Sequence, residues 1–269
     1  MRRIAILFVS LVAAIPAFSQ APPAPAAAPA GAAGATGAAK GPHPKSAAEN
    51  DAIVTTFKET DPDKQIKDAE DLLTTYPDTD YKAQVLLIEA TAYNQKRDYP
   101  KAIVVGEKSL EADPSSYATL LLLADIYART SKPTDLDLNA NVAKAEKYAK
   151  EALADLAKAQ KPKADLPDDA WAQAKTGQEA QAYMSLGLTA VLRKKYDEAK
   201  TNFDKSISMY PDPLVMLYIE RAYAAAKQYD DAIAWADKAM AAQGIPDNIK
   251  SIAANDKTRA QNLKKQQSQ

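Results

Sequence analysis

The sequence predicts an all-α protein assembled from repeated helical hairpins, on three observations. Its composition is that of helices: Ala, Leu, Lys, Glu, Asp and Gln dominate, and only 8 of 269 residues are glycine, four of them between positions 31 and 41. Segments centred on tyrosine and alanine recur at a spacing of 33 or 34 residues, which is the sign of stacked repeats. Prolines follow these segments at Pro114 and Pro211, where they stop a helix at little cost in hydrogen bonding.

The chain is 46% hydrophobic and 26% charged, ordinary values for a folded domain. Its 34 basic residues balance 35 acidic ones, so no net field draws it to nucleic acid or to an anionic membrane surface. There is no cysteine. Disulfides, thiolate zinc sites and cysteine nucleophiles are therefore excluded, and stability must come from core packing.

Residues 1–19 read as a secretory signal peptide: Arg2 and Arg3, an apolar run over 4–15, then small residues spaced as in Ala17-x-Ser19, with cleavage expected after Ser19. A run of about 12 apolar residues falls short of the roughly 20 that span a bilayer, so no stable membrane span is expected after cleavage. Residues 20–45 are rich in Ala, Pro and Gly and hold no large apolar side chain. They bury too little surface to offset the entropy of ordering, which predicts a disordered spacer. The single histidine, His43, lies there between two prolines and makes no metal site alone. The expected location is periplasmic or secreted.

The clearest repeat reads Tyr183-x2-Leu186-Gly187-x2-Ala190, then Tyr196-x2-Ala199-x3-Phe203, then Pro211. It closely resembles the tetratricopeptide repeat (TPR), in which W-x2-L-G-x2-Y precedes A-x3-F and P. A later copy runs Met216-x2-Ile219-Glu220-x2-Tyr223 and Tyr229-x2-Ala232-x3-Ala236. An earlier one runs Leu86-x2-Glu89-Ala90-x2-Tyr93, then Tyr99-x2-Ala102-x3-Gly106. Leu120-x2-Leu123-Ala124-x2-Tyr127 opens another, 34 residues on from Leu86. Residues 66–76 look like the second half of a divergent first unit whose first helix covers 46–59. The resemblance spans roughly residues 61–244 and implies a solenoid of about four to five helical hairpins. N-terminal repeats would occupy 46–160, a linker and helix start 161–179, C-terminal repeats 180–246, and a polar capping helix and tail 247–269.

Two antiparallel helices approach closely only where side chains are small. Gly187, Ala90 and Ala124 are expected at that crossing on one helix, and Ala102, Ala145, Ala199 and Ala232 on the other. Glu220 departs from this pattern, so its carboxylate should either escape to solvent or loosen its hairpin. The late arrival of Ala145 predicts a loop over 130–141 carrying about nine extra residues. Asp168 is expected to cap a helix that runs into the next repeat and is broken or bent near Gly177. Trp171 on that helix is read as a packing residue.

No catalytic motif is present: neither a phosphate-binding glycine loop, nor a dinucleotide fingerprint, nor a nucleophile elbow, nor a zinc-protease helix. With its only histidine in the spacer, the folded part holds no Ser-His-Asp triad. Carboxylate pairs such as Asp168-Asp169 and Asp230-Asp231 are expected to cap helices, and the run from Arg193 to Lys195 to sit in a solvated turn. The expectation is a non-catalytic protein without metal or cofactor.

The resemblance further implies a binding groove lined by the first helix of each hairpin. Residues sharing that face at helical spacing are Gln84, Leu87, Thr91 and Asn94, then Leu121, Asp125 and Arg129, then Gln181, Met184 and Leu188, and finally Leu217, Arg221 and Ala224. With only two cations among them, this face disfavours capture of a partner's terminal carboxylate. It fits an extended or helical protein segment with apolar anchors, within an envelope complex. The alternative is a non-catalytic binder of a glycan, peptide or other small ligand, motivated by Trp171 and the 13 tyrosines.

Overall fold

The computed structural model describes residues 42–162 and 166–267, apart from the side chain of Leu214. The expected signal peptide, the spacer up to residue 41, linker residues 163–165 and the last two residues lie outside the described residues. Among the described residues there are eleven α-helices and no strand: α1 (Ala47–Lys58), α2 (Pro62–Thr75), α3 (Lys82–Gln95), α4 (Tyr99–Ala112), α5 (Tyr117–Thr130), α6 (Leu138–Lys158), α7 (Asp168–Leu192), α8 (Tyr196–Met209), α9 (Pro213–Ala225), α10 (Tyr229–Ala241) and α11 (Asp247–Gln267). The first ten form five successive hairpins, and α11 packs on the last of them.

Local chemistry sets the boundaries. Ser46 caps α1 by accepting the Glu49 N–H at 3.0 Å, and Asp61 caps α2 by accepting from Asp63 and Lys64. Pro62 and Pro100 sit in the first turns of α2 and α4, where no intrahelical N–H is required. Three hairpins turn by the same device. Arg97, Lys194 and Lys227 adopt φ of 61°, 60° and 62°, and the following N–H groups of Asp98, Lys195 and Gln228 each reach back 2.9 Å to the carbonyls of Tyr93, Ala190 and Tyr223. That bond closes the first helix and reverses the chain. Ahead of α1, the Tyr81 hydroxyl donates to the Pro42 carbonyl at 3.0 Å, and Lys45 bonds to the Asp78 carbonyl.

The hairpins close on small residues, as the repeat pattern predicts. Ala90, Ala102, Ala124, Ala145, Ala199 and Ala232 are all fully buried. At Gly187 a β-carbon would lie 2.3 Å from the Phe203 ring. Each second helix also packs on the first helix of the next hairpin. First helices touch one another from hairpin to hairpin, whereas second helices do not. A stack joined along one side only must curve, with the first helices on the inside.

Four expectations are corrected. The insertion after α5 is divided: only residues 131–137 form a loop, and the remainder lengthens α6 to 21 residues. Pro167, not Asp168, is the N-cap of α7; Asp168 lies in the first turn and pairs with Lys161 at 2.6 Å. Helix α7 runs unbroken for 25 residues through Gly177, because nothing crowds that glycine and no proline interrupts the ladder. Glu220 does not escape to solvent: it is 1% exposed. Thirty-three residues on from Gly187 and Phe203 stand Glu220 and Ala236, so the larger residue of the pair falls on the first helix instead of the second. Trp171 is buried, with Lys175 over its ring.

Candidate functional site

The inner face of the stack is built by α3, α5, α7 and α9, and it divides into two parts. On α3, Gln84, Leu87, Thr91 and Asn94 stay half-buried and share one stripe, as residues three and four apart must. The Thr91 hydroxyl donates to the Leu87 carbonyl at 2.8 Å, which fixes its rotamer. The amide oxygens of Gln84 and Asn94 are out of water and have no hydrogen-bond partner. No charged side chain belongs to this set.

Further along the stack the equivalent positions are used internally. Leu121, Met184, Leu188 and Leu217 are buried at 3%, 7%, 6% and 4% exposure. Met184, Leu188 and Leu217 share one apolar cluster that runs from α5 to α11, and Leu121 joins a second with Ala124 and Ala182. Gln181 and Ala224 remain partly exposed. These side chains hold neighbouring hairpins together, which sequence spacing alone does not reveal.

Both inner-face cations are matched within the chain. Arg129 donates from Nε and Nη2 to Asp125 at 2.7 and 2.5 Å, and its guanidinium lies 5.9 Å from the Tyr218 ring on α9. Asp125 is buried, so this fork replaces its lost hydration. Arg221 reaches Asp256 on α11 at 2.9 Å. The array therefore presents no free cation among these positions for a partner's carboxylate.

Two acidic residues escaped the sequence-based site list. Glu89 on α3 and Glu220 on α9 are 7% and 1% exposed. Burial raises both carboxyls to about 7, helped by Glu70 beside Glu89 and by Asp256 beside Glu220. The signal was an acidic residue at a repeat position that elsewhere holds leucine or isoleucine for Glu89 and glycine or alanine for Glu220. On the outer side, a cleft of about 610 Å³ lies between α4 and α6 over Leu120, rimmed by Glu107, Glu111, Glu151 and Asp155. Glu107, Glu151 and Asp155 are paired there with Lys144, Lys147 and Lys158. Among the described residues no group of three or more metal-capable side chains converges, and no helix is long and apolar enough to cross a membrane.

Several tyrosines serve packing and internal bonding, while Tyr210 and Tyr218 are exposed. Tyr127 donates to Glu107 at 3.0 Å, and Tyr223 is 1% exposed against Phe203. No family model matches the chain, and no curated protein matches its sequence. Among solved structures it is similar to a thermophilic TPR protein of Thermus thermophilus, at 15% identity and a TM-score of 0.53, over 77% of this chain and 98% of that one. A tetratricopeptide repeat protein from Parabacteroides merdae aligns at 15% identity and a TM-score of 0.38, over 80% and 93% of the two chains. Repeat spacing, the Gly187–Phe203 crossing, the recurrent turn and the first of these likenesses agree: the chain has the tetratricopeptide-repeat fold.

Proposed function

We propose that this chain is an exported, non-catalytic scaffold of the cell envelope that holds a protein or peptide partner along the inner face of its stack. The observation that carries the reading is the α3 stripe, where an apolar side chain, Leu87, lies between two amides with unpaired oxygens, Gln84 and Asn94. An unpaired buried acceptor costs roughly 1–3 kcal/mol, which a partner's backbone N–H groups would relieve once the amides turn outward. An extended segment offers such donors at regular intervals, with an apolar side chain for Leu87. Export rests on the signal-peptide pattern of residues 1–19.

Leu87 suits the test because its replacement removes little core, unlike that of Met184, Leu188 or Leu217. A photo-crosslinking residue at position 87 of the full chain, expressed in cells, should capture a discrete envelope protein. The same group at Lys200, exposed on α8, should not. Capture at 87 should fall at least tenfold with Gln84→Ala and Asn94→Ala together. Equal capture at both positions, or none at 87 in a folded chain, overturns the inner-face reading. A mature N-terminus that does not follow Ser19, found in the cytoplasmic fraction, overturns export.

A further inference from the structure

The place taken by Gly187 in the fourth hairpin is taken by Glu220 in the fifth. Glu220 is 1% exposed, and its Oε2 has no hydrogen-bond partner. A carboxyl group so placed is tolerated when neutral and resisted when charged, because the ion would have neither water nor enough donors.

The charged groups that bear on it come from two helices. Asp256 of α11 adds a like charge; Arg221 of α9 and Arg259 of α11 oppose it, and Arg221 already spends its Nε donor on Asp256 at 2.9 Å. Asp231 of α10, with Asp197 and Asp204 of α8, bears instead on Tyr223, about one turn along α9. Helix α7 meets this region with Met184 and Leu188.

The position of Glu220 in the stack matters as much as its surroundings. Of all the first helices, α9 has the thinnest contact with the preceding hairpin, whereas α10 and α11 are closely packed. Lys257 pairs with Asp237 at 2.7 Å, Lys264 with Asp230, and Arg221 with Asp256, so α9, α10 and α11 are tied to one another. A disturbance at Glu220 therefore falls first on this terminal unit, which meets the preceding hairpin through the shared apolar cluster and the Lys238–Asp204 pair at 3.6 Å.

We propose that α9–α11 form a pH-gated unit, closed when Glu220 is protonated and loosened when its carboxyl ionises. The sign follows from linkage. Closed, the carboxyl titrates at about 7; in the opened unit it returns to its ordinary 4.5. Stability from the protonated group is complete below 4.5, declines as pH rises, and is gone above 7. The unit is thus tightest in acid and loosest at neutral pH, opposite to the behaviour of an ion-paired carboxylate. The inference does not depend on partner binding at α3.

Amide hydrogen exchange of the mature chain, wild type against Glu220→Gln at matched pH, tests it. The ratio cancels the intrinsic pH dependence of exchange. For peptides of α9–α11 the wild-type to variant ratio should rise from near unity at pH 4.5 to about a hundredfold at pH 7 and then level off, as linkage requires. Peptides of α1–α4 should show no such rise. A ratio that is flat with pH, or that climbs equally in α1–α4, overturns the proposal. Glu220→Ala, which restores the small residue found at the other crossings, should give the same profile and serves if the glutamine variant does not fold.

Discussion

Gly187 lies face to face with the ring of Phe203: a β-carbon built on the glycine would stand 2.3 Å from two ring carbons. Phe203 is fully buried and wedged against Tyr223 and Trp235, so it has nowhere to retreat. Gly187→Ala should therefore destabilise by about 1–3 kcal/mol through overpacking, despite alanine's better helix propensity. In a denaturant titration Phe203→Leu should cost stability alone and recover part of the loss when combined with Gly187→Ala. Strict additivity of the two would mean that the contact does not set the crossing. At Gly106 the nearest atom is the flexible end of Leu123, at 2.8 Å, so the same substitution there should be milder.

Gly177 offers the opposite case. It lies inside continuous α7, and nothing stands within 4 Å of a β-carbon placed on it. Gly177→Ala should raise stability by about 0.5–1 kcal/mol, the helix-propensity difference. A loss of stability in thermal unfolding would show that α7 bends there in solution.

The repeated turn carries strain that its sequence does not relieve. Arg97, Lys194 and Lys227 hold a left-handed backbone, which disfavours any residue with a β-carbon. Lys194→Gly should gain up to about 1 kcal/mol, the relief of strain exceeding the added freedom of the unfolded chain. Denaturant midpoints of the three single glycine variants should move in the same direction, since the three turns share one geometry.

Glu89 gives the N-terminal half its own pH dependence. Burial, with Glu70 adding to it and Lys108 partly offsetting it, raises this carboxyl from 4.5 to about 7. Its stabilising contribution is complete below pH 4.5 and lost as pH rises to 7. Glu89→Gln should leave stability near pH 4.5 almost unchanged and raise it at pH 7.5 by roughly 1–3 kcal/mol. Chemical denaturation at the two pH values, in a Glu220→Gln background that removes the other carboxyl raised to about 7, measures this directly. Equal gains at both would assign the effect to packing instead.

The fold was legible because its determinants are local in sequence. Small residues at the crossings recur at fixed spacing, and the geometry that brings Gly187 to Phe203 also brings Ala90 and Ala199 to their neighbours. Glu220 was visible as an exception, but its burial was not, because a carboxylate at that repeat position is equally able to turn to solvent. The inner face was legible only in part. Leu87 and Met184 occupy equivalent repeat positions, yet one is half-exposed and the other 7% exposed. The difference lies in how closely the preceding first helix approaches, α5 on α7 far more than α1 on α3, which no single repeat encodes. The extent of α6 differs for a related reason: Pro133 keeps the start of the inserted segment out of helix, whereas 138–141 hold neither proline nor glycine and join α6.

Helix α7 is the longest of the array and lies near its middle. At 1.5 Å per residue, the 25 residues of α7 make a rod of about 37 Å, while the 14 residues of α3 or α8 make one of about 21 Å. A solenoid of equal units deforms evenly, like a coil spring. This one carries its longest helix near the middle and its thinnest junction between hairpins at α9. Tension applied to the two ends should therefore part the stack first where α9 meets the preceding hairpin.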